Sequence, residues 1–158
     1  MNSILLQFAG RAVKVYGGPY VQRPVYMTGV KLAAEVDEPC DIDLPTRDYS
    51  VPDVNLAKRA LLQTIKRLAK GETIYAGCWA GIGRTGLFLA LLAKSAGVED
   101  PVGYVRATYN SHAMETAEQK TYVEDFPIFW LRWAYRAASY AAKPPLDPGV
   151  NHKDKAKM

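Results

Sequence analysis

Residues 72–86 read ETIYAGCWAGIGRTG, in which an apolar run leads into a turn rich in glycine. The run before the turn predicts a buried strand, and the apolar segment after it predicts a buried helix. Cys78 then lies at the C-terminal tip of the strand and Arg84 at the start of the helix, with Gly81 and Gly83 between them. The stretch therefore predicts a tight connection from strand to helix that carries a cysteine and an arginine.

A turn of this composition can bind a phosphate dianion. Successive backbone N–H groups point inward in such turns and form a concave anion site. The start of the helix adds unpaired N–H groups and the positive end of its dipole, and Arg84 adds a planar fork that matches two phosphate oxygens. The same positive field stabilises the thiolate of Cys78, which is the nucleophilic form of the side chain. The loop is thus predicted to hold a phosphate with a nucleophile beneath it.

The order Cys78, five residues, Arg84 and Thr85 resembles the signature loop of the cysteine-dependent tyrosine and dual-specificity phosphatases, most closely the small dual-specificity type. The resemblance extends over residues 41–126. It implies an α/β fold with a central, largely parallel sheet and helices on both faces. It also implies that a phosphorylated protein or peptide is hydrolysed through a phosphocysteine intermediate, with phosphotyrosine or dual specificity and with no metal or other cofactor.

The resemblance implies a role for each residue of the loop. Cys78 is the nucleophile, Arg84 holds the transferred phosphoryl group, and the Thr85 hydroxyl eases the departure of the thiolate. Phosphate contacts are implied along the whole loop, at Trp79, Ala80, Gly81, Ile82, Gly83 and Arg84. One position departs from the family, because Gly77 stands where a histidine usually precedes the cysteine. We expect a thiolate that is less stabilised than usual but still ionised at neutral pH, since the loop amides, the helix start and the arginine are all retained.

Asp48 is the residue that the resemblance implies as the general acid. It lies in the loop after a short predicted strand, where the family carries an aspartate followed shortly by a proline. Asp41 and Asp43 lie at the other end of that strand, and parallel strands bring only their C-terminal loops to one site. Asp53 is predicted to form a capping box with Ser50. A turn aspartate without a catalytic role is the structural alternative for Asp48.

A second segment resembles the family farther along the chain. Arg106, Glu115, Thr116 and Gln119 follow the order of a family segment whose glutamine helps to place water in the second step of the reaction. Thr116 and Gln119 also fit a capping box, so a purely structural role for Gln119 stays open. Arg106 is predicted to lie on a helix surface, and His112 is more typical of an exposed loop residue than of a catalytic one.

Periodicity and turn residues predict the remaining elements. The predicted strands are 12–16, 41–45 and 73–76, and the predicted helices are 30–36, 54–70, 84–96 and 102–109. Pro127 is predicted to begin a further helix, whose aromatic residues, Trp130 and Trp133 among them, indicate core packing or a partner surface. The chain is expected to form a single domain over residues 1–142, followed by a disordered tail over residues 143–158.

The composition of the 158 residues, 49% hydrophobic and 23% charged, predicts a globular and soluble domain. No apolar run approaches the ~18 residues of a membrane span, and two cysteines without a disulfide pattern favour a reducing, cytoplasmic location. Two histidines and no Cys/His cluster argue against a metal site. About half of the formal net charge of +4 lies in the predicted tail, which argues against a nucleic-acid-binding stripe on the rest of the chain.

Other interpretations of the same residues remain open. The Gly-x-Gly-x-x-Gly pattern at 81–86 matches the dinucleotide-binding fingerprint, but no strand-like run follows the helix. A phosphate-binding module without turnover is favoured by Gly77, and a sulfur-transfer enzyme would also use a loop cysteine. A phosphoinositide or another non-protein phosphoester is the alternative substrate. Basic loop residues favour phosphoinositides in the family, whereas Trp79, Ala80 and Ile82 are uncharged.

Overall fold

The computed structural model describes residues 1–129 and 131–141, so Trp130 and the predicted tail lie outside the described residues. Five strands of the described part form one sheet: β1 (Asn2–Phe8), β2 (Arg11–Pro19), β3 (Thr28–Ala33), β4 (Ile42–Thr46) and β5 (Ile74–Cys78). They lie in the order β1-β2-β5-β3-β4. β1 pairs antiparallel with β2, and the other neighbouring strands run parallel. The C-terminal ends of the parallel strands therefore lie at one edge of the sheet.

The helices of the described residues form two groups around this sheet. They are α1 (Val54–Ala69), α2 (Gly83–Ser95), α3 (Pro101–Thr108), α4 (Ala117–Asp125) and α5 (Leu131–Ala141), with a short 3₁₀ turn at Tyr20–Gln22. α1 packs against α5, whereas α2 packs against α3 and α4, and each group contacts β5. All five residues of β5 are buried, because the central strand is covered on both faces. The predicted α/β architecture is confirmed.

The two helices next to β5 follow their sequence patterns. α1 is amphipathic, and its buried face includes Leu61, Ile65 and Leu68. α2 is formed by a continuous apolar run, and its residues 87–93 are all buried. A helix that is apolar on every side is stable only inside the core. The loop that begins at Cys78 is therefore anchored by a buried strand on one side and a buried helix on the other.

Two predicted helix starts are wrong. The Asp53 carboxylate accepts a hydrogen bond from the Leu56 N–H at 3.0 Å, so Asp53 itself is the N-cap of α1 and the predicted capping box with Ser50 does not form. α5 begins at Leu131, and Pro127 therefore lies in the connection after α4 instead of in the first turn of the helix.

The first twenty residues contain two strands where the sequence predicts one. Ile4, Leu6 and Phe8 of β1 are buried. Leu5 lies between them but is 52% exposed, and an apolar residue on the exposed side masks the alternation that would predict a strand. Ala9 and Gly10 both have positive φ, at 49° and 79°, as in the tight two-residue turns that join antiparallel strands.

The helix predicted over residues 30–36 is wrong, because residues Thr28–Ala33 form β3 between β5 and β4. Lys31 and Ala33 favour a helix locally, but the position supplies backbone partners on two sides and buries most of the strand. The correction matters for the site. Glu35 lies in a turn directly after β3, at the same edge of the sheet as Cys78.

Candidate active site

The loop from Cys78 to Arg84 connects the end of β5 to the first turn of α2. Cys78 is only 2% exposed, and its sulfur accepts hydrogen bonds from the Gly81 N–H and the Thr85 hydroxyl, both at 3.2 Å. The Thr85 oxygen also accepts a hydrogen bond from the Cys78 N–H at 3.0 Å, which leaves its own proton to point at the sulfur. Two donors aimed at one sulfur are an arrangement that stabilises a thiolate.

The loop is packed closely against strand β2. Gly81 has a φ of 75°, and a Cβ at this position would lie 2.2 Å from the carbonyl carbon of Gly18. Tyr109, which follows α3, donates its hydroxyl proton to the Gly81 carbonyl at 2.7 Å. Burial raises the pKa of Tyr109, so the hydroxyl remains a donor at neutral pH. Tyr109 is a site residue that the sequence does not reveal, because its contact joins two distant segments.

The N-terminus of α2 offers donors to an anion. No side chain caps the first turn of this 13-residue helix, so its first N–H groups have no partner within the helix. These groups and the helix dipole favour an anion at the mouth of the loop. The carboxylate of Glu115 borders the same turn, because a Cβ on Gly83 would lie 2.2 Å from Glu115 Oε1.

Arg84 is 3% exposed, and its five N–H donors can be assigned one by one. Nη1 donates to the Thr46 carbonyl and to Glu35 Oε2, both at 2.8 Å. Nη2 donates to Glu35 Oε1 at 2.6 Å. Nε is buried and has no hydrogen-bond partner in the part of the chain that the structure describes. Nε–H and the second N–H of Nη2 form the lateral edge of the guanidinium, which matches two phosphate oxygens.

Glu35 is a second residue that sequence reasoning missed, because the predicted helix over 30–36 concealed its position. Its carboxylate forms a bidentate ion pair with the end of the Arg84 guanidinium. Hydrogen bonds from Arg84 lower the pKa of Glu35. Burial alone would lower the pKa of Arg84, but the hydrogen bonds to Glu35 and the nearby Cys78 charge raise it above its ordinary value. The pair fixes the end of the guanidinium and does not use the lateral edge, where Nε has no hydrogen-bond partner among the described residues.

Asp48 lies in the loop after β4, with 56% of its side chain exposed. β4 runs parallel to β3, which runs parallel to β5, so this loop reaches the same edge of the sheet as Cys78. Asp48 Oδ1 lies 3.5 Å from Arg84 Nη2 and accepts a hydrogen bond from the Tyr49 N–H at 3.0 Å. Tyr49 has a φ of 58°, which is uncommon for a residue other than glycine. The carboxylate thus lies beside the guanidinium.

The other aspartates of this region have structural partners. Asp41 Oδ2 accepts a hydrogen bond from the Gly29 N–H at 2.7 Å, and Asp43 lies 4.0 Å from the Lys31 ammonium. Asp53 caps α1. Among the ion pairs of residues 1–129 and 131–141, Asp48 is the aspartate of this region that pairs with Arg84.

Gln119 is buried in the first turn of α4 and is engaged at both ends of its amide. Oε1 accepts a hydrogen bond from the Thr116 N–H, and the Gln119 N–H donates to the Thr116 hydroxyl, so the predicted capping box is confirmed. Nε2 donates to the Ser50 carbonyl at 3.1 Å. Because Ser50 lies two residues after Asp48, this bond ties α4 to the loop of the candidate acid.

Arg106 has more contacts than the predicted surface position implies. Nε donates to the Ala113 carbonyl and Nη2 to the Met114 carbonyl, each at 3.0 Å. These bonds hold the segment that precedes Glu115. His112 is exposed, as predicted.

Gly77, which replaces the usual histidine, has no space for a side chain. A Cβ here would lie 2.7 Å from the Gly18 carbonyl oxygen and 2.7 Å from the Tyr20 Cα. Both are backbone atoms, and Gly77 pairs with Gly18 in the sheet. A histidine therefore cannot occupy this position unless the end of β2 moves away from β5.

Two exposed aromatic residues lie next to the candidate catalytic residues. Trp79, directly after Cys78, is 69% exposed, and Tyr49, directly after Asp48, is 60% exposed. Exposed rings beside a phosphate site provide flat apolar surface for the organic part of a substrate.

The topology argues against a dinucleotide site. That motif needs a second parallel strand after the helix, whereas α2 is followed in the described residues by α3, α4 and α5.

Residues 1–129 and 131–141 contain no cluster of three or more His, Cys, Asp or Glu side chains that could hold a metal ion. The same residues contain no helix with the length and apolar character to cross a membrane.

Among curated proteins, two from Methanocaldococcus jannaschii match part of the chain. The uncharacterized protein MJECL20 is 37% identical over 84 residues, which are 52% of this chain and 56% of that protein. The uncharacterized protein MJ0215 is 34% identical over 84 residues, which are 52% of each. The chain thus spans about half the length of the curated relatives it matches. No protein-family model matches the chain.

Solved structures of two phosphatases are similar to this chain in fold. Tk-PTP in its active form aligns with a TM-score of 0.56 at 20% identity, over 64% of this chain and 78% of that one. The kinase associated phosphatase, in which the catalytic-site cysteine is substituted by serine, aligns with a TM-score of 0.53 at 11% identity, over 80% and 94%. At these identities the likeness shows a phosphatase-like fold.

Proposed function

We propose that this protein hydrolyses phosphomonoesters on proteins, with phosphotyrosine or dual specificity, through a phosphocysteine intermediate. The observation that carries the proposal is the pair of donors on the Cys78 sulfur, the Gly81 N–H and the Thr85 hydroxyl, both at 3.2 Å. A cysteine that only fills the core behaves as a small apolar side chain and needs no such donors. The same conclusion is supported by the phosphatase-like fold and by the Arg84 Nε–H, which has no hydrogen-bond partner among the described residues.

In the first step, the Cys78 thiolate attacks phosphorus, and the S–P bond forms as the bond from phosphorus to the leaving oxygen breaks. The loop N–H groups and the lateral edge of Arg84 bind the equatorial oxygens and stabilise the charge of the transition state. Asp48, in its protonated form, gives its proton to the leaving oxygen. An alcohol or a phenol departs.

In the second step, water attacks phosphorus and the S–P bond breaks, so that its electron pair returns to Cys78 as a thiolate. Asp48, now a carboxylate, takes the proton from the attacking water. The Thr85 hydroxyl stabilises the departing thiolate. Gln119 acts through the acid-bearing loop, because its amide holds the Ser50 carbonyl at 3.1 Å.

The loop and its surroundings favour a phosphorylated protein over a phosphoinositide. The variable loop positions Trp79, Ala80 and Ile82 carry no charge, so they offer no pairing for the further phosphates of an inositol headgroup. Trp79 and Tyr49 are exposed aromatic residues that can pack against a substrate ring.

The proposal is tested by phosphate release from a small aryl phosphate and from phosphotyrosine, phosphoserine and phosphoinositide substrates. Cys78→Ser is expected to abolish turnover yet still bind inorganic phosphate, because the backbone donors remain. Arg84→Lys is expected to lose most of the activity, since an ammonium cannot supply two parallel donors. Substantial hydrolysis by Cys78→Ser would exclude Cys78 as the nucleophile.

A phosphate-binding module without turnover is the second candidate. The 3.5 Å separation between Asp48 Oδ1 and Arg84 Nη2 favours it, because a carboxylate that pairs with the arginine is not aimed at a leaving oxygen. Binding of inorganic phosphate by the unmodified protein, with no phosphate release from any aryl phosphate between acidic and neutral pH, would establish the binding module in place of the enzyme.

A further inference from the structure

A groove of about 490 Å³ lies between α4 and the loop that carries Asp48. Much of its lining is apolar and includes Val51, Val54, Tyr122 and Phe126. Val54 is 39% exposed, and the Tyr122 hydroxyl is buried without a hydrogen-bond partner among the described residues. Apolar walls with a few polar groups are typical of sites that bind an organic side chain.

The groove begins close to the phosphate site on two sides. Val51 lies three residues after Asp48, and Ala117 lies two residues after Glu115. Three extended residues span at most about 10 Å. A peptide with its phosphorylated residue at Cys78 therefore reaches the groove within about four positions of that residue.

The rim of the groove is acidic. Glu118 and Asp125 line it, and no basic residue does so among the described residues. Burial raises the pKa of Tyr122, and the negative charge of Asp53 raises it further, so the Tyr122 hydroxyl stays protonated at neutral pH. Charge complementarity therefore selects an apolar side chain that is next to a lysine or arginine and disfavours an acidic peptide.

We propose that this groove binds an apolar side chain of the phosphorylated substrate together with an adjacent lysine or arginine, within about four positions of the phosphorylated residue. The inference rests on the proposed function, because it describes the peptide on which the same site acts. Binding energy from this groove comes from a part of the substrate remote from phosphorus. Its effect must therefore be visible with peptides and absent with a small aryl phosphate.

The experiment uses a series of phosphotyrosine peptides in which a Leu-Arg pair is moved through the positions around the phosphotyrosine, in a background of alanine and serine. KM and kcat are measured for the unmodified protein and its variants, with a small aryl phosphate alongside. Binding of the same peptides to Cys78→Ser is measured by fluorescence anisotropy, so that affinity is known whether or not turnover occurs.

Matched variants separate the charge of the groove from its apolar wall. Glu118→Lys with Asp125→Lys is expected to weaken binding of the preferred peptide about tenfold, through two reversed charges. Its control is Glu124→Lys, an exposed α4 residue outside the groove. Val54→Ser tests the wall, and its control is Leu56→Ser, because Leu56 is 40% exposed on the same helix but does not line the groove.

The outcomes separate this inference from the proposed function. The inference is supported if the unmodified protein prefers Leu-Arg at one position, and if the groove variants lose this preference while both controls keep it. Turnover of the aryl phosphate should be unchanged in all of these variants. Equal binding of all peptides, or equal losses in variants and controls, overturns it. Absence of turnover with the peptide preference intact overturns the proposed function alone. Competition by a peptide of residues 142–158 that matches the Leu-Arg phosphopeptide would assign the groove to the chain itself and overturn a substrate role.

Discussion

Arg84 has two kinds of partner in the candidate site. Glu35 holds it through bonds of 2.6 and 2.8 Å, whereas Asp48 lies at 3.5 Å from Nη2, beyond the usual hydrogen-bond range. A phosphate that binds the lateral edge of the guanidinium leaves the Glu35 pair intact and competes only with Asp48. We therefore expect Glu35 to act as a positioning residue and substrate binding to release Asp48 for proton transfer.

The pH dependence of stability tests the Glu35–Arg84 pair. The pKa of Glu35 lies below its ordinary value of 4.5 in the folded protein, so the pair contributes stability above that value and loses it as the pH falls through the lowered pKa. The Tm of Glu35→Gln is expected to lie below that of the unmodified protein at neutral pH, with the difference shrinking in acid. Glu38→Gln is the control, since Glu38 has no side-chain ion pair among the described residues. A Tm difference that is constant with pH would contradict the prediction.

Tyr109→Phe tests whether the Gly81 carbonyl must be held. The change removes the donor at 2.7 Å and leaves a buried carbonyl without its partner, at a cost of about 1–3 kcal/mol. Gly81 also supplies an N–H to the Cys78 sulfur, so a shift of Gly81 weakens this bond. We therefore expect kcat/KM on an aryl phosphate to fall about tenfold, roughly the contribution of one hydrogen bond to a charged group. The acidic limb of the pH profile of kcat/KM should also move.

Tyr75→Phe is the matched control for this change. Tyr75 is also buried and donates its hydroxyl proton to the Pro19 carbonyl at 2.8 Å, but none of the hydrogen bonds among the described residues joins its side chain to the loop. Both variants should lose similar stability, and only Tyr109→Phe should change the pH profile. Equal effects of the two variants on the profile would assign Tyr109 a purely structural role.

At the scale of elements, the approach of β2 to β5 explains why glycine occupies position 77. Gly77→Ala places a methyl carbon 2.7 Å from backbone atoms of Gly18 and Tyr20, which cannot move as a flexible side chain does. We expect a loss of about 3 kcal/mol in the free energy of unfolding. Gly71→Ala has open space and only a positive φ of 86° to overcome, so it should cost about 1 kcal/mol. Chemical denaturation measures both, and equal costs would refute the steric account.

The elements also show which parts of the site are predictable from sequence. Cys78, Arg84 and Thr85 lie within one short segment, so their spacing alone predicts that they meet. Asp48 is indicated by the resemblance to the phosphatases, and the convergence of the C-terminal ends of parallel strands argues against Asp41 and Asp43. Glu35 lies 49 residues from Arg84 in the sequence, and Tyr109 lies 28 residues from Gly81. Such contacts depend on strand order and helix packing, which local propensity does not determine.

At the scale of the whole molecule, the strand order determines which carboxylates can reach the proposed phosphate site. β5, β3 and β4 are parallel neighbours, so the turns after β3 and β4 converge with the Cys78 loop at one edge of the sheet. Glu35 and Asp48 come from these two turns, and Asp41 and Asp43 lie toward the opposite end of β4. The sheet thus delivers one carboxylate to hold Arg84 and one to serve as the proposed acid.

Asp48→Asn tests this division of roles against Asp53→Asn. General acid catalysis contributes about 10²–10⁴-fold, so Asp48→Asn should lower kcat by that order on a phosphate ester with a poor leaving group. The loss should shrink for an aryl phosphate with a good leaving group, which needs little protonation, and the basic limb of the pH–rate profile should flatten because asparagine has no proton to lose. Asp53→Asn changes a helix cap for another good capping residue and should leave kcat unchanged. The opposite result would be full activity of Asp48→Asn on the poor leaving group and loss of activity in Asp53→Asn. It would mean that the proton comes from the start of α1 and that the loop after β4 does not face the leaving oxygen.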